Sequence, residues 1–224
     1  MPIRLWALAV SLVAALLLVA PAWAGAPCAS SYSYAGFANA GSGYGIKATV
    51  TTVDIPDVAW GHVAAWVGVG GPGIGPNGED EWIQVGFAGF ASGDTGLYYE
   101  VTVPGSGPRY TEVAADVTPG VAHRIAVLEM AGRASTWRVW VDGVPASEPV
   151  FLAGSHGAWT PMATAESWNG GRASCNRFEY RFESVMVARS AGGGWHALDP
   201  GTTFEDPGYQ VVTRAPAGFL ARAM

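Results

Sequence analysis

One uncharged polar residue, Gln84, interrupts the apolar run EWIQVGF between Ile83 and Val85. Side chains alternate along a strand, so Trp82, Gln84 and Gly86 share one face and Ile83, Val85 and Phe87 the other. With the Ile/Val/Phe face in the core, Gln84 stands between a tryptophan and a glycine, on what has the character of a groove floor. A second such place is AWTPMATAESW at residues 158–168. There alternation groups Thr164, Glu166 and Trp168 against Ala163, Ala165 and Ser167. A third is LYYEVTV, where Tyr98, Glu100 and Thr102 share a face.

These residue types allow several chemistries. Glu100 and Glu166 could form the carboxylate pair of a retaining glycosidase, which needs a separation of about 5–5.5 Å, but no single strand carries two glutamates at the alternating spacing such enzymes use. Trp66, Trp82, Trp168 and the tyrosines could form a stacking platform for a sugar or peptide in a protein that binds without catalysing. Equally, Gln84 and Glu166 could each be a hydrogen-bonded, inert polar residue on a partly exposed sheet. The pattern alone leaves all three open.

The elements that would position these residues read as strands. Residues 44–53, YGIKATVTTV, alternate and are rich in β-branched side chains after a Gly/Ser/Ala-rich lead-in, and Pro56 ends them. Residues 61–69 place His62, Ala64 and Trp66 on one face and Val63, Ala65, Val67 and Val69 on the other; His62 is expected as a partly exposed sheet residue. Further strands are expected at 96–103, 110–117, 122–129 and 136–141, with His123 and Arg124 toward solvent. Asp142-Gly143 is a strong hairpin signal. Residues 175–189 read as one long strand with Phe178, Tyr180, Phe182 and Met186 inward and Arg177, Glu179, Arg181 and Glu183 on a solvated face. Gly68–Gly73 (GVGGPG) fits a dinucleotide fingerprint in letters only, because Pro72 follows and no helix begins to hold a pyrophosphate. Glu79, Asp80 and Glu81 beside Asn77-Gly78 are expected as a solvated turn rather than a Ca²⁺ site.

Composition agrees with an all-β reading. Among 224 residues there are 31 glycines, 15 prolines and 10 tryptophans, with only 13% charged, which means many turns and many large rings. The net charge of −6, with Lys47 the only lysine, suits neither nucleic acid nor an anionic membrane surface. Residues 1–24 read as a secretory signal peptide: Arg4, an apolar run, then Pro21 and the small-residue pattern Ala22-Trp23-Ala24. The mature chain is expected to be secreted, monomeric and free of the membrane. Residues 25–189 are expected to form one β-domain, and 190–224 a Gly/Pro-rich extension with at most one short strand at 209–213. In an oxidising compartment Cys28 and Cys175 are expected to form a disulfide; a metal or reactive-thiol role finds no neighbouring ligand at the right spacing.

The ordered motifs WVGVGG (66–71), WIQVG (82–86), YYE (98–100), TPG (118–120) and AES (165–167) resemble those of the eqolisins, the glutamic peptidases. The likeness covers roughly residues 34–187. It implies a concanavalin A-like, two-sheet antiparallel β-sandwich (a jelly roll) whose concave face holds a Gln/Glu dyad, matched here by Gln84 and Glu166. Trp66, Trp82, Tyr98, Glu100 and Trp168 fall where such a groove would bind substrate. A polypeptide would be the substrate, acid the working range, and no metal or cofactor would be needed. The chain departs from the family pattern where Gly70 replaces a frequent aspartate, where the aromatic run is thinned to YYEVTVP, and where Ser167 separates Glu166 from Trp168.

Overall fold

The computed structural model describes residues 31–168, 175–214 and 217–224. Its strands are β1 (Tyr32–Asn39), β2 (Gly45–Thr52), β3 (Asp57–Val58), β4 (His62–Gly71), β5 (Glu81–Phe90), β6 (Thr95–Thr102), β7 (Arg109–Ala115), β8 (Ala122–Glu129) and β9 (Thr136–Val141). They continue as β10 (Val144–Pro145), β11 (Val150–Phe151), β12 (Pro161–Trp168), β13 (Asn176–Arg177), β14 (Glu179–Ser190), β15 (Gly193–Ala197), β16 (Pro200–Glu205), β17 (Tyr209–Arg214) and β18 (Gly218–Ala223). Seven form one antiparallel sheet in the order β16-β1-β12-β4-β5-β6-β7; the other large sheet follows β10-β9-β8-β2-β14-β18-β17, with β11 and β15 at its margins. The fold is a two-sheet antiparallel β-sandwich.

Alternation decides which face of each strand meets the opposite sheet. Val63, Ala65, Val67 and Val69 of β4, Ile83, Val85 and Phe87 of β5, and Ala163 and Ala165 of β12 are buried in one core with Val50, Ile125, Val127, Phe182 and Phe219 of the other sheet. The expected inward faces of β4, β5 and β12 are therefore the observed ones, which leaves Trp66, Gln84 and Glu166 together on the outer face of the seven-stranded sheet.

Four expectations are corrected. Residues 32–39, read as lead-in, form β1, which pairs with both β12 and β16. Residues 190–224 are no loose extension: within them β16 joins one sheet, while β15, β17 and β18 join the other. Tyr209, Phe219, Leu220 and Ala221 there are buried. In β14 the register to β2 shifts between Glu183 and Met186, with Ser184 at φ +52°. This bulge reverses the alternation, so Val185 and Val187 are buried instead of Met186. His123 faces between the sheets with its ring against Phe87, and only Arg124 is exposed.

Two glycines are imposed by close approach. A Cβ on Gly86 would lie 2.0 Å from the Ala65 carbonyl oxygen and 2.7 Å from Trp66 Cα. Gly86→Ala is expected to cost about 3 kcal/mol or more in chemical denaturation, because the obstruction is the backbone of β4 and cannot rotate away. Gly70, at φ +87°, would place a Cβ 2.3 Å from the Glu81 carbonyl oxygen. An aspartate there would demand a different path for the end of β4.

Candidate active site

Cross-strand pairing arranges the outer face of the seven-stranded sheet in rows. One row runs Phe204, Gly36, Thr164, Trp66, Gly86, Tyr98. The row on one side of it carries Tyr34, Glu166, Ala64 and Ala88, and the row on the other carries Met162, Gly68, Gln84 and Glu100. Small residues thus alternate with large ones. Gly86 leaves a gap between Trp66 and Tyr98, while Ala64 and Ala88 lower the floor beside Glu166. The result is a groove of about 380 Å³, lined by Gln84 and Glu166 and walled by Trp66, Trp82, Tyr98 and Glu100.

Glu166 is buried, and its Oε2 accepts a hydrogen bond from Trp66 Nε1 at 2.9 Å. Its Oε1 lies 3.6 Å from His62 Nε2, too far for a hydrogen bond. Gln84 Nε2 donates to the Tyr98 hydroxyl at 3.1 Å, and no direct Gln84–Glu166 hydrogen bond occurs among the described residues. Tyr98 is buried on β6, the strand beyond Gln84's as seen from β12. Burial, and next the Glu166 carboxylate, raise its pKa well above the usual phenol value, so it stays a neutral O–H that accepts from Gln84 and can donate into the groove. Burial likewise raises the Tyr34 phenol, with Glu166 the next cause.

Glu100 sits beside Gln84 on β6, and its Oε1 accepts from Trp82 Nε1 at 2.9 Å. Its pKa is raised, by burial first and by the charge of Glu166 as well, against the opposing Trp82 hydrogen bond. A raised carboxyl binds its proton more tightly in the folded than in the unfolded chain. Its stabilising share is therefore full below the ordinary carboxyl value and is lost as pH rises through the folded value. Glu100→Gln should remove that slope: from about pH 4 to about pH 7, across the carboxyl range, the native melting temperature should fall more than that of the variant.

Of the residues expected to bind substrate, Trp66, Trp82, Tyr98 and Glu100 line the groove. Trp168 does not; it stacks on His62 at 5.9 Å and 15° and so backs the groove wall. Glu81, expected on a solvated turn, is fully buried at the start of β5, where its Oε1 accepts the Ala153 N–H at 2.7 Å. Cys175 is buried next to β13, and Cys28 lies outside the described residues, as does the expected leader. Sequence reasoning missed Tyr32 and Tyr34 of β1, Phe204 of β16, and the place of His62. The signal for His62 was present, since it shares alternation with Ala64 and Trp66.

No family model matches the chain, and no curated protein does. Solved structures do. Scytalido-glutamic peptidase bound to a transition state analog inhibitor superposes with a TM-score of 0.61 at 16% identity, over 87% of this chain and 99% of that one. SCP-B, an eqolisin peptidase in complex with the tripeptide Ala-Ile-His, gives 0.54 at 16% identity over the same shares. The likeness is one of fold. It spans nearly the whole of both peptidases.

Proposed function

We propose that the chain is a secreted acid endopeptidase in which Glu166 and Gln84 act as a dyad on a polypeptide held in the groove. The observation that carries this reading is the Trp66 hydrogen bond to Glu166 Oε2 within the groove that Gln84 also lines. The indole occupies one carboxylate oxygen and leaves Oε1 to accept from a water. As general base, Glu166 takes a proton from that water, whose oxygen adds to the scissile carbonyl carbon. The carbonyl oxygen becomes an oxyanion stabilised by a Gln84 N–H, with the Tyr98 hydroxyl near enough to Gln84 to hold the carboxamide in place. Protonated Glu166 then passes its proton to the leaving nitrogen as the C–N bond breaks.

The test is cleavage of an unfolded protein by the purified mature chain across roughly pH 2–7 with pepstatin present. Cutting in acid supports the assignment; none at any pH overturns it. Trp66→Phe keeps the ring and removes the N–H. Its expected effect is a fall of about 10- to 100-fold in kcat with KM little changed, as for a group that orients the base.

A second reading, a secreted protein that binds a peptide or glycan without cleaving it, is favoured by one observation. At one end of the groove Tyr32, His62 and Phe90 stand in adjacent positions, with Tyr32 half-exposed, in the manner of a stacking platform. Retention of an undigested peptide by the native chain would support it.

A further inference from the structure

His62 lies on the same face of β4 as Ala64 and Trp66, one step along from the residue opposite Glu166. Its Nε2 is 3.6 Å from Glu166 Oε1. The imidazole is held among rings: stacked on Trp168 at 15°, edge-on to Tyr32 at 65°, and tilted to Phe90 at 55°. Its side chain keeps 29% of its surface exposed, so it exchanges protons with solvent, while that of Glu166 keeps 9%. No Lys or Arg lines the groove among the described residues. The titratable groups around His62 are Glu166 from β12, Tyr32 from β1 and, by its electrostatic influence, Glu100 from β6.

We propose that His62 is the counter-charge of Glu166: as imidazolium it keeps the carboxylate ionised and aimed into the groove at acid pH. Resting on the peptidase reading above, this makes His62 a positioning residue that acts through Glu166 and itself touches no reacting atom. A protonated imidazole facing Glu166 Oε1 at 3.6 Å favours the carboxylate form by direct charge attraction. Aromatic faces on several sides favour the cation over the neutral ring. Trp66 fixes Oε2 with a permanent donor, whereas His62 faces Oε1 at ion-pair distance without consuming it, which leaves that oxygen for water.

The experiment has two arms. In the first, the pH profile of cleavage is compared for native chain, His62→Gln and His62→Phe. Both variants should lose activity most steeply on the acid side, with the acid limb displaced upward by roughly one pH unit. His62→Phe preserves the ring packing and separates charge from stacking. Superposable acid limbs would overturn the proposal, as would an equal loss at all pH values. In the second arm, the ¹³C carboxyl titration of Glu166 is followed in native chain and His62→Gln, and the His62 ring titration in native chain and Glu166→Gln. Each midpoint should move, that of Glu166 upward and that of His62 downward; unmoved midpoints would overturn the pairing. Because the second arm needs no turnover, an inactive native chain would sink the peptidase reading while the His62–Glu166 pairing is still decided.

Discussion

Glu166→Gln should abolish acid proteolysis, lowering kcat by about a thousandfold or more, while the chain stays folded. The carboxamide matches the carboxylate in shape and can still meet Trp66, whose Nε1 sits 2.9 Å from the oxygen it would face. What it cannot do is accept and return a proton, so the loss should fall on kcat and leave peptide binding nearly intact. Gln84→Ala should cost about 10²- to 10³-fold, the usual size for one oxyanion donor, and should also free the Tyr98 hydroxyl from its 3.1 Å partner. A single-turnover assay on a fluorogenic peptide, with circular dichroism to check the fold, reads both. A Glu166→Gln chain that still cut at more than a few per cent of the native rate would remove Glu166 from the chemistry.

The second large expectation concerns the end of the chain. A protein stopped at Ser190 should fail to fold cooperatively. It would lose β15–β18 and with them the buried Tyr209, Phe219 and Leu220. Phe219 stacks on Phe182 at 4.4 Å and meets Phe37 edge-on at 5.1 Å, and Tyr209 stacks on Phe178 at 5.0 Å, so truncation takes ring partners away from both sheets. Fully burying one large apolar side chain is worth about 1.5–3 kcal/mol, so three account for roughly 5–9 kcal/mol, as much as many domains have in total. Thermal and urea unfolding of the truncated and full-length proteins would decide it; a sharp transition at the native midpoint would show that 190–224 adds little.

Which parts could be read beforehand follows from what alternation carries. It marks faces wherever one face is strongly apolar, and on β4, β5 and β12 that placed Trp66, Gln84 and Glu166 on a common side. It does not tell which strand lies next to which. The pairing of β1 with both β12 and β16 joins residues over 120 positions apart, and nothing local in YSYAGFAN or PGTTFE announces a partner. Bulges defeat alternation outright, as in β14, where Ser184 turns the expected Met186 outward. Buried carboxylates escaped for a related reason. Glu81 sits in an acidic turn segment that reads as solvated, yet the Ala153 amide that holds it comes from 72 residues away. His62 was visible as a groove-face residue, but its 3.6 Å approach to Glu166 depends on the β4–β12 register, which no single segment contains.

That register also sets a clock. Strand β12, bearing Glu166, is threaded between β4 and β1, so β1 leaves the ribosome long before its partner exists, and β16, which flanks β1 on the other side, is made later still. Gln84 and Trp66 can be in place early in synthesis; Glu166 joins them only once some hundred further residues have emerged, the span separating Trp66 from its carboxylate partner. Pairings of such long range form late and slowly. On the proposed reading, a nascent chain would therefore hold the oxyanion donor without the base, and proteolysis would await the pairing of β12 with β4.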